Sequence, residues 1–187
     1  MIRTALVPLF FAVVLLFSLS TLAASSTELQ EIDRLYQHTQ YAAALDRIDA
    51  YLAKKPNDAQ ARFLKGLILT GQKKTAEAMD IFTSLNEDFP ELPEPYNNLA
   101  VLYAAQGHYR MAQRALETAV RINPNYAVAE ENLGDIYAKM AGIAYSKVIK
   151  LDNKNTTASA KLALIKQIFV PRPVPVMEDK LNEKPAE

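Results

Sequence analysis

The chain has 187 residues, half of them hydrophobic, with lysine plus arginine and aspartate plus glutamate balanced at 21 each. That balance excludes the strongly basic footprint of a nucleic-acid binder, and the length predicts one domain with terminal extensions. Cysteine is absent, which excludes disulfides, cysteine-ligated metals and a lipid-modified cysteine behind a leader.

Residues 1–23 read as a secretory leader. Arg3 carries positive charge, Ala5 to Leu19 is almost wholly apolar, and Ser20, Thr21, Ala23, Ala24, Ser25 and Ser26 supply small residues for cleavage. Cleavage is expected after Ala23, with Ser25 as the alternative. The apolar run falls short of the ~20 residues that span a bilayer. The expected location is therefore the periplasm, with no membrane insertion after cleavage; an uncleaved leader acting as a membrane anchor is the alternative.

The next signal is a repeat. Pro56, Pro90 and Pro124 are spaced by 34 and 34 residues, and each closes a similar unit. In the third unit Tyr96, Leu99, Ala100, Tyr103, Gly107, Tyr109, Ala112, Leu116, Ala119 and Pro124 fall in order. In the second, Arg62, Lys65, Gly66, Leu69, Thr75, Ala78, Phe82, Leu85 and Pro90 take the same places, and in the first Ile32, Leu35, Tyr41, Ala44, Ile48, Tyr51 and Pro56 do. These residues resemble the tetratricopeptide repeat, a 34-residue helix hairpin. The units run over about 25–58, 59–92 and 93–126.

The resemblance implies an all-α, right-handed solenoid of helix hairpins over 24–169. Gly66 or Ala100 is expected to face Ala78 or Ala112 where the two helices of a unit cross. Gly107 is expected just past a helix end, where φ is often positive, and the prolines stop the second helices. The second unit departs from the pattern, with Arg62 and Lys65 where large apolar residues are usual. The first is degenerate, with Ile32 at the small position, as suits a terminal unit facing solvent.

The fourth unit breaks the period. Ala127, Leu133, Gly134 and Tyr137 begin it on time, but the closing stretch YSKVIKLDNKN arrives five residues early, so that Asn153 stands where position 158 was due. The missing residues are those of the turn. Leu133, Tyr137, Met140, Ala144, Val148 and Leu151 are separated by 4, 3, 4, 4 and 3, one unbroken stripe on an α-helix. A single helix from Ala127 to Leu151 is predicted within an atypical unit 127–155; a tight turn at Gly142 is the alternative. A last helix is predicted over 157–169, with Leu162, Ile165 and Phe169 along one face and Leu164 and Ile168 beside them. It should fold back and cap the stack. Residues 170–187, VPRPVPVMEDKLNEKPAE, read as an extended, disordered tail.

No catalytic constellation is visible. His38 and His108 fall near turns without a partner at metal-ligand spacing, there is no Gly-rich phosphate loop, and Asp33, Glu131 and Asp135 are the only carboxylates offered for convergence. The expectation is a protein that is not an enzyme and has no cofactor and no metal.

The resemblance instead implies a working surface, the concave face lined by the first helix of each unit. By position it places Asp33 and Tyr36 there, then Phe63 and Leu67, then Asn97, Asn98 and Val101, then Glu131 and Asp135. Phe63, Leu67 and Val101 form an apolar middle, the two asparagines are offered to a peptide backbone, and the rim is acidic. Some members of the family clamp a partner's terminal carboxylate. The corresponding positions here are Leu29, Asp33, Leu64, Glu94 and Asn98, none basic, so a basic or extended neutral segment is the expected ligand. The stretch YAVAEENLGDIYAKMAGIAYSKVIKLD further resembles small exported tetratricopeptide proteins of Gram-negative bacteria. Together these imply a periplasmic adaptor or scaffold for an unidentified protein or peptide partner, in a setting such as cell-envelope assembly. The alternative is a self-associating structural protein, a homo-oligomer assembling through its solenoid ends. Replacing Phe63 and Asn97 together is expected to abolish partner capture without lowering the melting temperature.

Overall fold

The computed structural model describes residues 27–170. The expected leader and all of the expected tail but Val170 lie outside them. Among the described residues there are eight helices and no strand: α1 (27–37), α2 (Tyr41–Leu52), α3 (Ala59–Gly71), α4 (Thr75–Asp88), α5 (Pro93–Ala105), α6 (Tyr109–Ile122), α7 (Ala127–Leu151) and α8 (Thr156–Ile168). The chain forms two compact bodies, an N-terminal one ending at Ile136 and a C-terminal one starting at Tyr137.

The N-terminal body is three hairpins, α1–α2, α3–α4 and α5–α6, followed by the first part of α7. The second helices bury the same positions each time: Ala44, Ile48 and Tyr51 in α2, Ala78, Phe82 and Leu85 in α4, Ala112, Leu116 and Ala119 in α6. These are the 3- and 4-residue steps of one helical face. No hairpin closes its core alone. Ile32, Ala44, Ile48 and Tyr51 share a cluster with Ala61, Leu64 and Ile68 of α3. Leu69, Ala78, Phe82 and Leu85 share the next with Leu99 and Leu102 of α5. Each repeat is thus completed by the first helix of its successor.

The turns repeat with the same period. Thr39, Lys73 and Gly107 all have positive φ, at 58°, 61° and 77°. At each, the residue's N–H donates three residues back (to Tyr36, Thr70 and Ala104 O) and the next N–H donates five back (to Leu35, Leu69 and Tyr103 O), at 2.9 to 3.0 Å. That is the pair of bonds that satisfies the last carbonyls of a helix ending in a left-handed residue. Gly107 has the conformation expected of it, and two non-glycine residues are held in the same one.

The contacts at the small positions are specific. A Cβ built on Gly66 would lie 2.6 and 2.7 Å from Cε1 and Cζ of Phe82, so the Phe82 ring, expected to fill the space around the crossing, is the nearest group that demands glycine. Ile32, at the small position of the degenerate first unit, is fully buried. The two basic departures of the second repeat have partners. Arg62 pairs with Asp88 at 2.7 Å, donates to Ser84 Oγ at 2.9 Å and lies 5.8 Å from the Phe89 ring centroid; Lys65 pairs with Asp49 at 2.7 Å. Arg62 ties the two helices of its own repeat together, and Lys65 ties that repeat to the one before.

In the C-terminal body, α7 passes Gly142 unbroken, as the stripe predicts. Asn155 caps α8, its Oδ1 accepting from Ala158 N at 2.9 Å. α8 folds back along the second half of α7: a Cβ on Gly142 would sit 3.4 Å from Ile165 and 3.8 Å from Leu162, and Lys139 Nζ stands 3.6 Å from the Phe169 ring centroid. The surface α8 covers here is the Gly142 face of α7. The predicted stripe lies on another side and stays partly open, with Ala144 exposed, Tyr137 47% exposed and Leu151 79% exposed. No helix among the described residues is long and apolar enough to cross a membrane.

Candidate functional site: a cleft between first helices

Asp58 sets the start of α3 by accepting from Ala61 N at 3.0 Å, and its second oxygen accepts from Tyr51 OH at 2.8 Å, tying α3 to the end of α2. So fixed, α3 places Gln60, Phe63, Leu64 and Leu67 at successive 3- and 4-residue steps opposite Leu29, Gln30 and Asp33 of α1. These seven residues line an open cleft of about 380 Å³. Leu29 and Leu64 form its buried walls, Phe63 and Leu67 are half-buried, and Asp33 is exposed at its edge.

Of the nine expected groove residues, the structure brings Asp33, Phe63 and Leu67 into this cleft. Tyr36, one turn beyond Asp33, packs against Tyr41 at 5.9 Å between ring centroids. Burial pushes its phenol pKa up, with Tyr41 and Asp33 adding to the effect. Val101 is 47% exposed on α5, and Glu131 and Asp135 are exposed on α7. Asp33, Glu131 and Asp135 do not converge: among the described residues no group of three or more His, Cys, Asp or Glu could hold a metal.

The asparagines are corrected. Asn97 is buried, and its Oδ1 accepts from Asn132 Nδ2 of α7 at 2.8 Å. Asn98 donates to the Glu94 carbonyl of its own helix at 2.9 Å. The first is a tie between neighbouring repeats and the second a helix-surface bond, rather than free donors for a peptide. Phe63 also packs against Phe82, with centroids 5.7 Å apart. Replacing Phe63 and Asn97 together would therefore disturb two core contacts, and the melting temperature would fall. Sequence reasoning missed Gln30 and Gln60. The 3- and 4-residue steps running back from Leu67 through Phe63 reach Gln60, so the signal was present in the spacing.

The electrostatics of the first helices are one-sided. Within the N-terminal body their cations are engaged: Arg34 with Glu31 at 2.8 Å, Arg62 with Asp88 and Lys65 with Asp49. The Arg34 hydrogen bond holds the exposed Glu31 carboxyl below its ordinary pKa. Glu28, Asp33, Glu94, Glu130, Glu131 and Asp135 remain on the same helices without an ion-pair partner among the described residues. Where a carboxylate clamp would need lysine or arginine, Leu29 and Leu64 are buried wall and Asp33 and Glu94 are exposed acid.

Two tetratricopeptide repeat family profiles match, over residues 29–93 and 93–126, together just over half of the chain. The chain belongs to the tetratricopeptide repeat family. A stretch of 71 residues is 39% identical to the uncharacterized protein ycf37 of Pyropia yezoensis, covering 35% of this chain and 40% of that relative. The chain thus spans well under half of that relative's length. Among solved structures, a thermophilic tetratricopeptide repeat protein of Thermus thermophilus is similar at 21% identity and a TM-score of 0.58, covering 77% of this chain and 82% of that one. The tetratricopeptide repeat protein YrrB, described as having an unusual peptide-binding site, is similar at 20% identity and a TM-score of 0.54, covering 75% of each chain. At these identities the likeness is one of fold. Tetratricopeptide repeats generally mediate protein–protein interactions, and their fold is typically a non-enzymatic scaffold.

Proposed function

We propose that this tetratricopeptide protein is a periplasmic adaptor whose first helices bind an extended, basic segment of another protein. The observation that carries the proposal is the cleft between α1 and α3, apolar in its walls and acidic at its edge, on a surface whose own cations are already paired. An apolar side chain entering the cleft gains about 25 cal/mol for each Å² of apolar surface it removes from water. A lysine or arginine beside it on the ligand meets Asp33, and Glu131 and Asp135 extend the same sign of charge along the face. Complementary charge of this kind sets specificity and encounter rate more than affinity. The leader-like N-terminus supports export, and a role in envelope assembly follows from that location.

The test is capture of basic peptides by the purified protein, read by fluorescence anisotropy, with Asp33→Lys and Val101→Ser as the variants. Both positions are exposed, so the fold is retained. Binding that weakens tenfold or more in Asp33→Lys and with added salt is expected; binding indifferent to both refutes the groove reading. Osmotic-shock fractionation tests the location, and retention with the cytoplasmic fraction refutes it.

A further inference from the structure

The two bodies carry opposite charge. Residues 27–136 hold 16 acidic and 11 basic side chains, whereas residues 137–170 hold Lys139, Lys147, Lys150, Lys154, Lys161 and Lys166 against Asp152 alone. Among the described residues the excess is five in each body, with opposite sign; residues 171–187 add four acids and three basic residues to the C-terminal side of the sequence. The basic body also exposes large apolar side chains: Ile143 is 55% exposed, Leu164 63% and Ile168 58%. On α8, Lys161, Leu164 and Ile168 follow at steps of 3 and 4 along one face, with Leu164 and Ile168 exposed and Lys161 Nζ also standing 5.4 Å from the ring centroid of Tyr145 on α7. That face is distinct from Leu162, Ile165 and Phe169, which are half-buried.

We infer that the occupant of the α1/α3 cleft is α8 of a second copy of this chain, docked head to tail. The inference rests on the groove reading above and names its ligand. The two surfaces match in kind. The cleft offers apolar walls in Leu29, Phe63, Leu64 and Leu67 with Asp33 at the edge. The helix offers Leu164 and Ile168 with Lys161 one turn away. Anchors at i, i+3 and i+7 are how an amphipathic helix seats in a groove. Charge decides between the possible pairings of copies. C-terminal body against C-terminal body sets six described lysines and one aspartate against the same, and first helices against first helices set acid against acid. Only tail against groove brings opposite signs together. Because the two contacting patches differ, the contact is heterologous, and mass grows with concentration either to a closed set of copies that exchange α8 or to an open chain.

The experiment is sedimentation velocity of the purified protein from low to high micromolar concentration, at low and high salt. Mean mass is expected to rise with concentration and to fall with salt. Lys161→Glu/Lys166→Glu and Asp33→Lys should each weaken association at least tenfold with unchanged circular dichroism. Mixing the two variants in equal amounts should restore it, since the basic tail of one meets the intact acidic cleft of the other. Ile168→Ser, at an exposed position, should weaken it without charge change. A monomer throughout the range overturns the inference, as does association indifferent to these variants. If the monomer nonetheless binds a basic peptide in an Asp33-dependent way, the groove reading stands and only its ligand is wrong; if it binds neither, both fail. Binding of the monomer to phosphatidylglycerol vesicles, lost in Lys161→Glu/Lys166→Glu, would overturn it by assigning the basic body to an anionic membrane surface.

Discussion

Gly66→Ala is the sharpest probe of how the core supports the cleft. The new methyl group would stand 2.6 and 2.7 Å from two atoms of the Phe82 ring, where carbon atoms in contact sit ~3.5–4.0 Å apart. The ring cannot give freely, because Phe82 is fully buried and Phe63 lies against it at 5.7 Å. Overpacking of this kind costs ~1–3 kcal/mol, while alanine in place of mid-helix glycine returns ~1 kcal/mol of helix propensity. The net expectation is a loss of about 1 kcal/mol, or about 2–4 °C in melting temperature for a chain of this size. The decisive comparison uses Phe82→Leu, which removes the ring edge that blocks the methyl. In that background the clash is gone and the propensity gain remains, so Gly66→Ala should stabilise by up to ~1 kcal/mol.

The prediction is therefore a reversal of sign, read by denaturant titration followed by far-UV circular dichroism on the four members of the cycle. Stabilisation by Gly66→Ala in the native background would refute it, and so would equal effects in both backgrounds. There is a functional limb as well. Residue 66 does not line the cleft, but Phe82 presses on Phe63, which does. Gly66→Ala should weaken ligand capture at a distance.

Three further outcomes follow from the same contacts. Thr39→Gly and Lys73→Gly relieve left-handed backbone and should stabilise by ~0.5–1 kcal/mol after the entropy of glycine is counted, whereas Gly107→Ala should cost about as much, all by thermal melting. Asn132→Ala leaves the buried Asn97 oxygen without its donor and should cost ~1–3 kcal/mol, with Asn97→Leu/Asn132→Leu less harmful than either single alanine. The raised Tyr36 pKa makes the folded chain hold a proton that the unfolded chain releases first. Its stability contribution is complete below the ordinary tyrosine pKa of 10 and is lost as pH rises through the higher folded value. Melting temperature should fall less steeply above pH 10 in Tyr36→Phe, and an identical decline would refute the assignment.

The period, the hairpins and the long α7 were legible because helical faces and turn deletions leave regular marks in spacing. Arg62 and Lys65 were legible only as departures, because the acids that hold them, Asp88 and Asp49, lie on other helices and spacing within one helix does not reveal such partners. Thr39 and Lys73 hid the turn positions that Gly107 announced, since neither residue type favours positive φ. Asn97 was misread for a related reason. Its place on a first helix was inferred correctly, but its burial depends on Asn132 arriving from the next repeat. Repeat pattern assigns a helix face; contacts across repeats decide whether that face is open.

The lost turn of the fourth repeat sets the character of the C-terminal body. In each of the first three repeats a second helix returns and buries three positions spaced as in α2, α4 and α6. The residues that would do so a fourth time, Tyr145 to Leu151, are present, but without the turn they continue along the axis of α7 and have no first helix of their own to cover. α8 covers one face of that extension, through Leu162 and Ile165 against Gly142. It leaves Ile143 and Leu151 exposed, as well as its own Leu164 and Ile168, among six lysines that face Asp152 alone within the described residues of this body. A five-residue shortening thus turns what would have been interior into surface. Because that surface is basic and the first helices are acidic, the consequence is directional: the exposed end is matched to the groove rather than to itself.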